Sequence, residues 1–475
     1  VQGGKKRLLN SRPVLNKLRL ERLSEFVKKW LQENLVPLER EDITSPDEWI
    51  ETCNQPESRR KEYREALAAY RDGGVPYHKV REIKTFTKGE SYPEYKYPRL
   101  INARSDYAKV LIGPFFKAIE KKLFSLPWYI KKIPRAQWPA YIRDRCGRLG
   151  VKCIATDYSS FESSFTPEVM EHLEMVLYEY MMGKCASEFE VEFVRDLMGI
   201  NKLSSAGFSM KCVGRRMSGE MNTSLGNGFS NLMLMLFVLS ELGCTDISGV
   251  VEGDDGLFVF NGPVPSSADF RSLGMEIKLD EHRNYNEASF CGVVFAEGVG
   301  DNLMNPLTVL CNQTWVSRDY ATATDRTLRS LQIVKALSTL AQLPGCPIVQ
   351  EVAKWQLRTA GYEPKEKNQI LKWALSQRNT GWWTRKVLED VEASTLDPRP
   401  VDYRSRLLVE SKYGFSVEAQ LQLESLFENS DGNVDLSDCS YIPAFNRAVY
   451  DKFVRSVVPR QESIMKEFEH SAVVP

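Results

Sequence analysis

The sequence predicts an α+β fold, and three observations carry that prediction. Short strand-like runs stand at 151–156, 249–252, 257–260 and 288–295, and helical periodicities at 167–183 and 222–242 stand between them. A tight Gly-Asp-Asp-Gly turn joins the two middle runs. Beyond about residue 300 the pattern is mostly helical, at 326–343, 347–360, 366–376 and 416–428. The order strand, helix, strand–turn–strand, helix, strand describes an α+β sheet with helices on one face. A mixed N-terminal region precedes this sheet and a helical region follows it.

The N-terminal region begins with an amphipathic helix over 15–35, where Leu18, Leu20, Leu23, Phe26, Val27, Trp30 and Leu31 recur at helical spacing. Residues 57–71 read as a charged helix ended by Gly73, Gly74 and Pro76. From Arg81 to Arg104 the chain is basic, aromatic and punctuated by proline, so an extended segment or hairpin is expected. Helical periodicity returns over 106–124.

Composition narrows the function. The 475 residues are 43% hydrophobic and 27% charged, enough to build two or three sub-structures, and 11% aromatic content excludes a disordered chain. No apolar run approaches the ~20 residues of a membrane span. The longest, around 232–239, is flanked by Ser230, Asn231 and Ser240 and reads as a buried helix. The chain begins Val-Gln-Gly-Gly without Met or an apolar h-region, which suits a polyprotein cleavage product or a trimmed chain rather than a signal peptide. Ten cysteines without a C-x-x-C pair fit a reduced, intracellular protein. The zero net charge hides an asymmetry. Residues 1–150 hold 32 Lys and Arg against 19 Asp and Glu, and subtracting these from 63 of each leaves 31 basic against 44 acidic beyond. A basic first third fits a polyanion-binding surface, although lysine runs also solvate ordinary helices.

Three segments carry chemistry. Val250 to Phe260 places Asp254 and Asp255 at the tip of a hairpin. Ile154 to Glu162 ends an apolar run in Asp157, with a second acid five residues on. Arg216 to Asn227 is a Ser-Gly loop leading into a long helix with Thr223 and Asn227 one turn apart on one face. Each alone has a plain structural reading: turn chemistry, an acid at a helix N-terminus, or a helix cap. Together they meet a specific need. Phosphoryl transfer to a 3′-hydroxyl uses two Mg²⁺ ions about 4 Å apart, held by carboxylates from separate strands. Hydroxyl and amide side chains beside them can contact a ribose.

These motifs, in this order, resemble those of viral RNA-dependent RNA polymerases of positive-strand RNA viruses, closest to the tombusvirus-like and flavivirus-like group. The Asp157 segment resembles motif A, Ser218 to Asn227 (S-G-x-x-N-T-x-x-x-N) motif B, and Gly253-Asp254-Asp255 motif C. Arg81 to Arg104 resembles the basic motif F, Leu273 to Lys278 motif D, and Ser289 to Gly292 motif E. The resemblance spans roughly residues 80–300.

The resemblance implies a right-hand polymerase with fingers, palm and thumb, an antiparallel palm sheet backed by helices, and a mostly helical thumb. Fingers and fingertips would occupy 1–124, with an insertion at 166–217; the palm 125–165 and 218–300; the thumb and C-terminal tail 301–475. The implied cofactors are two Mg²⁺ ions, with Mn²⁺ as a substitute, on Asp157, Asp254 and Asp255. Lys84, Lys88, Arg99 and Arg104 would handle the incoming triphosphate, with Lys84 and Arg104 lining its access channel. Thr223 and Asn227 would read the ribose 2′-hydroxyl, and Ser218 and Gly219 would form a loop near the template base. Lys278 would be the general acid for pyrophosphate departure. The family usually has Asp where this chain has Glu162, one methylene longer, which puts the sugar contact in doubt rather than polymerisation itself.

The implied partners are an RNA template and nascent strand, ribonucleoside triphosphates and other viral replication proteins, with no transmembrane segment in the chain itself. The implied location is the host cytoplasm, at membrane-bound replication complexes. A reverse transcriptase shares the palm acids, but Ser-Gly-Glu-Met-Asn-Thr is an RNA-polymerase pattern and Glu162 stands where a reverse transcriptase favours a bulky aromatic. A non-catalytic RNA-binding replication protein is the remaining alternative, and it predicts no Mg²⁺ dependence.

Overall fold

The structure, a computed structural model, describes Leu8 and residues 14–456 apart from positions 89–96, 98, 149, 206–207, 297, 313–315, 317–319, 378–386, 390, 393–395, 397, 433 and 437–438. The Val-Gln-Gly-Gly start, the middle of the motif F segment and residues 457–475 lie outside the described residues. The chain divides into two compact units. The first comprises Val1–Lys88, Tyr97–Ile133 and Tyr141–Cys291, and the second Gly89–Lys96, Pro134–Ala140 and Gly292–Pro475.

In the first unit, helix α1 (Lys17–Asn34) starts where the Asn16 side chain accepts the Arg19 N–H at 3.1 Å, and it buries Leu20, Leu23, Val27, Trp30 and Leu31 along one stripe. Helix α2 (Glu57–Arg71) follows. The basic segment forms strands β1 (Ile83–Thr87) and β2 (Leu100–Arg104), antiparallel with Lys84 opposite Ala103 and Phe86 opposite Ile101. Ser105 then caps helix α3 (Asp106–Leu123) through the Ala108 N–H.

Strand β3 (Lys152–Tyr158) leads to the region expected as one helix over 167–183. It is two helices, α4 (Pro167–His172) and α5 (Glu174–Met182), because Leu173 leaves helical geometry at φ −126°, ψ −75°. Helix α6 (Glu188–Met198), strands β4 (Ile200–Ser205) and β5 (Phe208–Val213), and helix α7 (Thr223–Glu241) follow. Strands β6 (Thr245–Glu252), β7 (Asp255–Asn261) and β8 (Ile277–His282) complete the unit's sheets. One sheet has the order β2-β1-β4-β5 and the other β6-β7-β3-β8. Every pair in the second is antiparallel.

Helix α7 is the centre of the main core. By length and composition it could cross a bilayer, but 83% of its apolar window is buried inside the protein, where it packs on β6 and β7. Its buried residues include Phe229, Leu232, Met233, Leu236 and Phe237, joined by Phe258 and Phe260 of β7.

The expected strand over 288–295 is corrected by the structure. The fourth strand of the β6-β7-β3-β8 sheet is Ile277–His282, whose alternating Ile-Lys-Leu-Asp fits a sheet edge with one face buried. Residues 285–287 are instead a 3₁₀ turn, because the Asn284 side chain accepts the N–H groups of Asn286 and Glu287 and competes with a ladder. Cys291 and Gly292 both take positive φ, and the next strand is β9 (Val294–Phe295).

In the second unit β9 pairs with β10 (Asn302–Leu303). The helices α8 (Asp325–Gln342), α9 (Val349–Thr359), α10 (Lys367–Ser376), α11 (Tyr403–Tyr413) and α12 (Val417–Glu428) follow. Four lie where the periodicity puts them. Helix α11 was not readable, since its apolar residues do not line up on one side and only Ser405 and Val409 are buried. Among the described residues no disulfide joins any of the ten cysteines.

Candidate active site

The β6–β7 hairpin is closed by two residues, Gly253 and Asp254, between the paired Glu252 and Asp255. Gly253 has φ +59°, the left-handed value that the first position of a tight hairpin turn requires. On β3, Thr156 lies opposite Gly256 of β7. Continuing that register by one residue sets Asp157 beside Asp255 at the same end of neighbouring strands. On its other side Asp157 is directly opposite Lys278 of β8. The three sequence-predicted carboxylates and Lys278 therefore share one edge of one sheet.

Their electrostatics agree with that placement. The Asp254 carboxyl has a raised pKa, first because surrounding protein displaces water and next because Glu162, with Asp157 behind it, adds negative charge; Arg99 opposes. Asp255 is pushed up to about 6 by burial, then by Asp254, Asp157 and Glu252, against a hydrogen bond from Cys291. Both residues are nonetheless exposed at the hairpin tip. Lys278 donates to Asp280 at 2.8 Å, and that partner raises its pKa. The oxygen-only donor set of Asp157, Asp254 and Asp255 suits a hard divalent cation in chemistry. Among the described residues no group of three His, Cys, Asp or Glu side chains is closed to chelating distance. The acids are gathered, not locked.

Glu162 follows Ser160, which adopts left-handed backbone (φ +55°) and starts the short helix Phe161–Ser164. With Arg99, Asn102, Ser163 and Ser218 it lines a small recess. Ser218 is held there because its carbonyl accepts the Asn102 N–H at 2.6 Å. Gly219, at φ +107°, lies so close to β2 that a Cβ would come within 2.7 Å of Ile101 Cγ2. The Thr223 hydroxyl accepts the Gly219 N–H at 3.3 Å and donates to the Met217 carbonyl at 3.2 Å, so it closes the loop on itself. Asn227, one turn on, is buried with its Oδ1 lacking a hydrogen-bond partner.

The basic residues separate by strand face. Lys84 is exposed on β1, and the backbone of Lys88 donates to the Arg99 carbonyl at 2.8 Å where the hairpin ends meet. Arg99 reaches the recess, but the structure does not bring Arg104 to it. Arg104 is turned instead into the buried side of the sheet, where Ile83 is its cross-strand neighbour. Its side chain is 3% exposed and ion-paired with Glu220, with Nε donating to Glu220 Oε1 at 2.8 Å and Nη2 to Asn201 Oδ1 at 2.8 Å.

Three site-shaping features were not found from sequence. Asn231, two turns below Thr223 on α7, donates from Nδ2 to the Gly253 carbonyl at 3.2 Å. Its signal was a fully buried amide in an otherwise apolar helix, four residues after Asn227. Glu220 is the partner of Arg104. Beneath the loop, Arg216 and Glu174 form a fully buried ion pair, and Asn222 Nδ2 donates to Glu174 Oε1 at 3.1 Å and to the Tyr178 hydroxyl at 3.0 Å. No local signal announces a pair 42 residues apart.

Comparison with known proteins places this geometry in context. A family model described as viral RNA dependent RNA polymerase matches residues 4–434. The RNA-directed RNA polymerase of Striped jack nervous necrosis virus is 25% identical over 208 residues, covering 42% of this chain and 21% of that protein. That of Greasy grouper nervous necrosis virus is 25% identical over 209 residues, with the same shares. The putative RNA-directed RNA polymerase of Barley yellow dwarf virus (isolate PAV) is 24% identical over 402 residues, covering 77% of this chain and 44% of that protein. The chain thus spans less than half the length of these relatives.

Proposed function

The chain belongs to the viral RNA dependent RNA polymerase family, and from that premise we propose that it synthesises RNA from ribonucleoside triphosphates on an RNA template, replicating a viral RNA genome. The observation that carries the reading is the meeting of Asp157, Asp254 and Asp255 at one sheet edge, next to Arg99 and the Ser218–Gly219 loop.

A right-hand layout accommodates these parts. The palm (125–165 and 218–300) holds the β6-β7-β3-β8 sheet, the fingers (1–124 and 166–217) the β2-β1-β4-β5 sheet, and the thumb (301–475) the helices α8 to α12. Asp157 and Asp254, assisted by Asp255, would hold two Mg²⁺ ions, for which Mn²⁺ substitutes. Bound there, the ions would activate the 3′-hydroxyl and neutralise the triphosphate.

The chain's own residues do the rest. Arg99 grips triphosphate oxygens in a fork, and Lys84 and Lys88 attract them along the channel. Arg104 serves by holding Glu220 and with it the loop. Asn227 offers its unpartnered Oδ1 to the ribose, with Thr223 fixing the loop above and Glu162 facing the sugar. Ser218 and Gly219 lie by the template base. Lys278 Nζ, kept charged by Asp280, is the proton donor to departing pyrophosphate. The working protein acts in the host cytoplasm, with other viral replication proteins at membrane-bound complexes.

The test is nucleotide incorporation on a homopolymeric RNA template with Mg²⁺ or Mn²⁺, comparing wild type with Asp254→Ala. Template-dependent ribonucleotide incorporation should fall by at least about 10²-fold in the variant, while RNA binding persists. A variant as active as wild type would remove Asp254 from the site. Preferential use of deoxynucleotides would favour a reverse transcriptase.

A further inference from the structure

The hairpin that carries Asp254 is held from its outer side by a segment that none of the motifs includes. Strand β6 is an edge strand of the β6-β7-β3-β8 sheet, and residues 128–129 lie along it. The Val251 N–H donates to the Trp128 carbonyl at 2.8 Å, and Tyr129 bridges Val251 in parallel. The chain then turns through the short 3₁₀ helix Ile130–Lys132, and Lys131 points inward. Its side chain is 9% exposed, and among the described residues it is the only buried lysine.

The ammonium ends at a specific place. Nζ donates to the Ser224 hydroxyl in the first turn of α7 and stands 3.7 Å from Oε1 of Glu252, the last residue of β6. It also lies 5.3 Å from the centre of the Phe124 ring. Glu120 of α3 belongs to the same cluster: burial raises its pKa, Lys131 opposes the rise and Glu252 adds to it. A buried ammonium is costly unless its donors find partners. The partners found here are one group from the helix that carries Thr223 and Asn227, and one from the strand that leads into Gly253 and Asp254.

Helix α7 meets the hairpin along one line. Ser224, Gly228 and Asn231 follow one another at helical spacing on one face. Ser224 meets Lys131. A Cβ on Gly228 would lie 3.4 Å from the Tyr129 ring and 3.7 Å from the Gly253 nitrogen. Asn231 donates to the Gly253 carbonyl at 3.2 Å. Asn231 thus fixes the middle of the helix to the turn, and Lys131 fixes its start. Thr223 and Asn227 project from that start, so their distance from Asp254 depends on the Lys131 contact.

We propose that Lys131 is a positioning residue for sugar selection, which bridges Ser224 and Glu252 and so holds Thr223 and Asn227 in register with Asp254. The inference rests on the reading of the chain as an RNA-dependent polymerase, and gives that reading a specificity determinant that does not itself touch the sugar.

The test compares wild type, Lys131→Met, Ser224→Ala, their double variant and Lys132→Met in incorporation of ribo- and deoxynucleotides on an RNA template with Mg²⁺. Lys132 is the control, being exposed and donating to the Lys121 carbonyl at 2.9 Å. Lys131→Met should lower the kcat/KM preference for ribonucleotides at least about fivefold, the effect of one misaligned hydrogen bond. The loss should lie in ribonucleotide kcat more than in KM. Ser224→Ala should lower the preference in part, and the double variant no further than Lys131→Met, because both act through one contact. Lys132→Met should keep the wild-type ratio. Amide hydrogen exchange without nucleotide gives a second readout. Peptides covering 222–228 and 250–256 should exchange at least about fivefold faster in Lys131→Met, and at the wild-type rate in Lys132→Met.

An unchanged ratio in Lys131→Met, an equal loss in Lys132→Met, or additive losses in the double variant would overturn the proposal. Ser224→Ala removes one hydroxyl and no charge, so an unchanged ratio and unchanged exchange in it overturn the proposal even where Lys131→Met folds poorly. Wild-type incorporation with unchanged ratio and exchange in the variants removes the role of Lys131 alone. The expected exchange pattern in a wild-type chain that incorporates nothing keeps the bridge and removes the polymerase reading.

Discussion

Asn231 in the middle of α7 donates a hydrogen bond from Nδ2 to the carbonyl oxygen of Gly253, at 3.2 Å, and so ties the buried helix to the turn that carries Asp254. The turn is two residues long, so its carboxylate moves with its backbone. A Cβ on Gly256, at the start of the same hairpin, would come within 3.2 Å of Asn231 Nδ2, which shows how closely helix and hairpin are fitted.

Replacing Asn231 by Leu separates positioning from stability. Its Oδ1 is buried without a partner, so an apolar replacement should leave the melting temperature within a few degrees of wild type. Turnover should fall by roughly 10- to 100-fold, the usual effect of misplacing a reacting group by about 1 Å. Steady-state incorporation and thermal melting on one preparation check both. Unchanged turnover would mean that β6 and β7 hold the turn unaided.

The raised pKa of Asp255 gives a sign for pH. Its folded value is about 6, against about 3.9 when unfolded, so the folded protein binds this proton more tightly. The stability it contributes is complete below about pH 4 and is lost as pH rises through about 6. In EDTA, the melting-temperature advantage of Asp255→Asn over wild type should grow between pH 5 and pH 7.5. Mg²⁺ should stabilise wild type more at pH 7.5 than at pH 5.5, since the cation competes with the proton.

Glu162 adds negative charge beside Asp254. Glu162→Gln should therefore lower the Asp254 pKa and move the acid limb of the kcat profile to lower pH. A profile that keeps its acid limb would disconnect the two residues. Relative use of ribo- and deoxynucleotides by the same variant tests its place at the sugar.

Arg104 and Glu220 are 3% and 11% exposed, so the pair is a buried one. Arg104→Ala leaves Glu220 without its cation and should cost about 3 kcal/mol in denaturant unfolding. Lys84→Ala, at an exposed site on the neighbouring strand, should stay within about 0.5 kcal/mol. Equal stabilities would return Arg104 to the solvent-facing set.

Two glycines should behave differently. At Gly226 a Cβ would lie 2.3 Å from Glu174 Oε1 and 2.6 Å from the Arg216 guanidinium, so Gly226→Ala forces the buried pair apart and should cost about 2–4 kcal/mol. At Gly253 nothing lies within 4 Å, and only the positive φ resists substitution, so Gly253→Ala should cost about 1 kcal/mol. Chemical denaturation of both variants gives the comparison.

Elements whose signal is local could be read from the residues alone. Period-3.6 stripes located α1, α2, α3 and α7 to within two or three residues, and short apolar runs flanking a Gly-Asp-Asp turn located the β6–β7 hairpin and its acids. Asp157 at a strand end was legible for the same reason. Features that depend on partners distant in the chain came from the folded molecule. It placed Ile277–His282, not 288–295, beside β3, because the ladder with Cys153–Tyr158 fixes which strand-like run pairs. It put Arg104 on the buried face with Glu220, joined Glu174 to Arg216, and set Asn231 under Gly253. Periodicity records which side of an element is buried; what covers that side is set by register and packing between segments far apart in sequence, which no local pattern encodes.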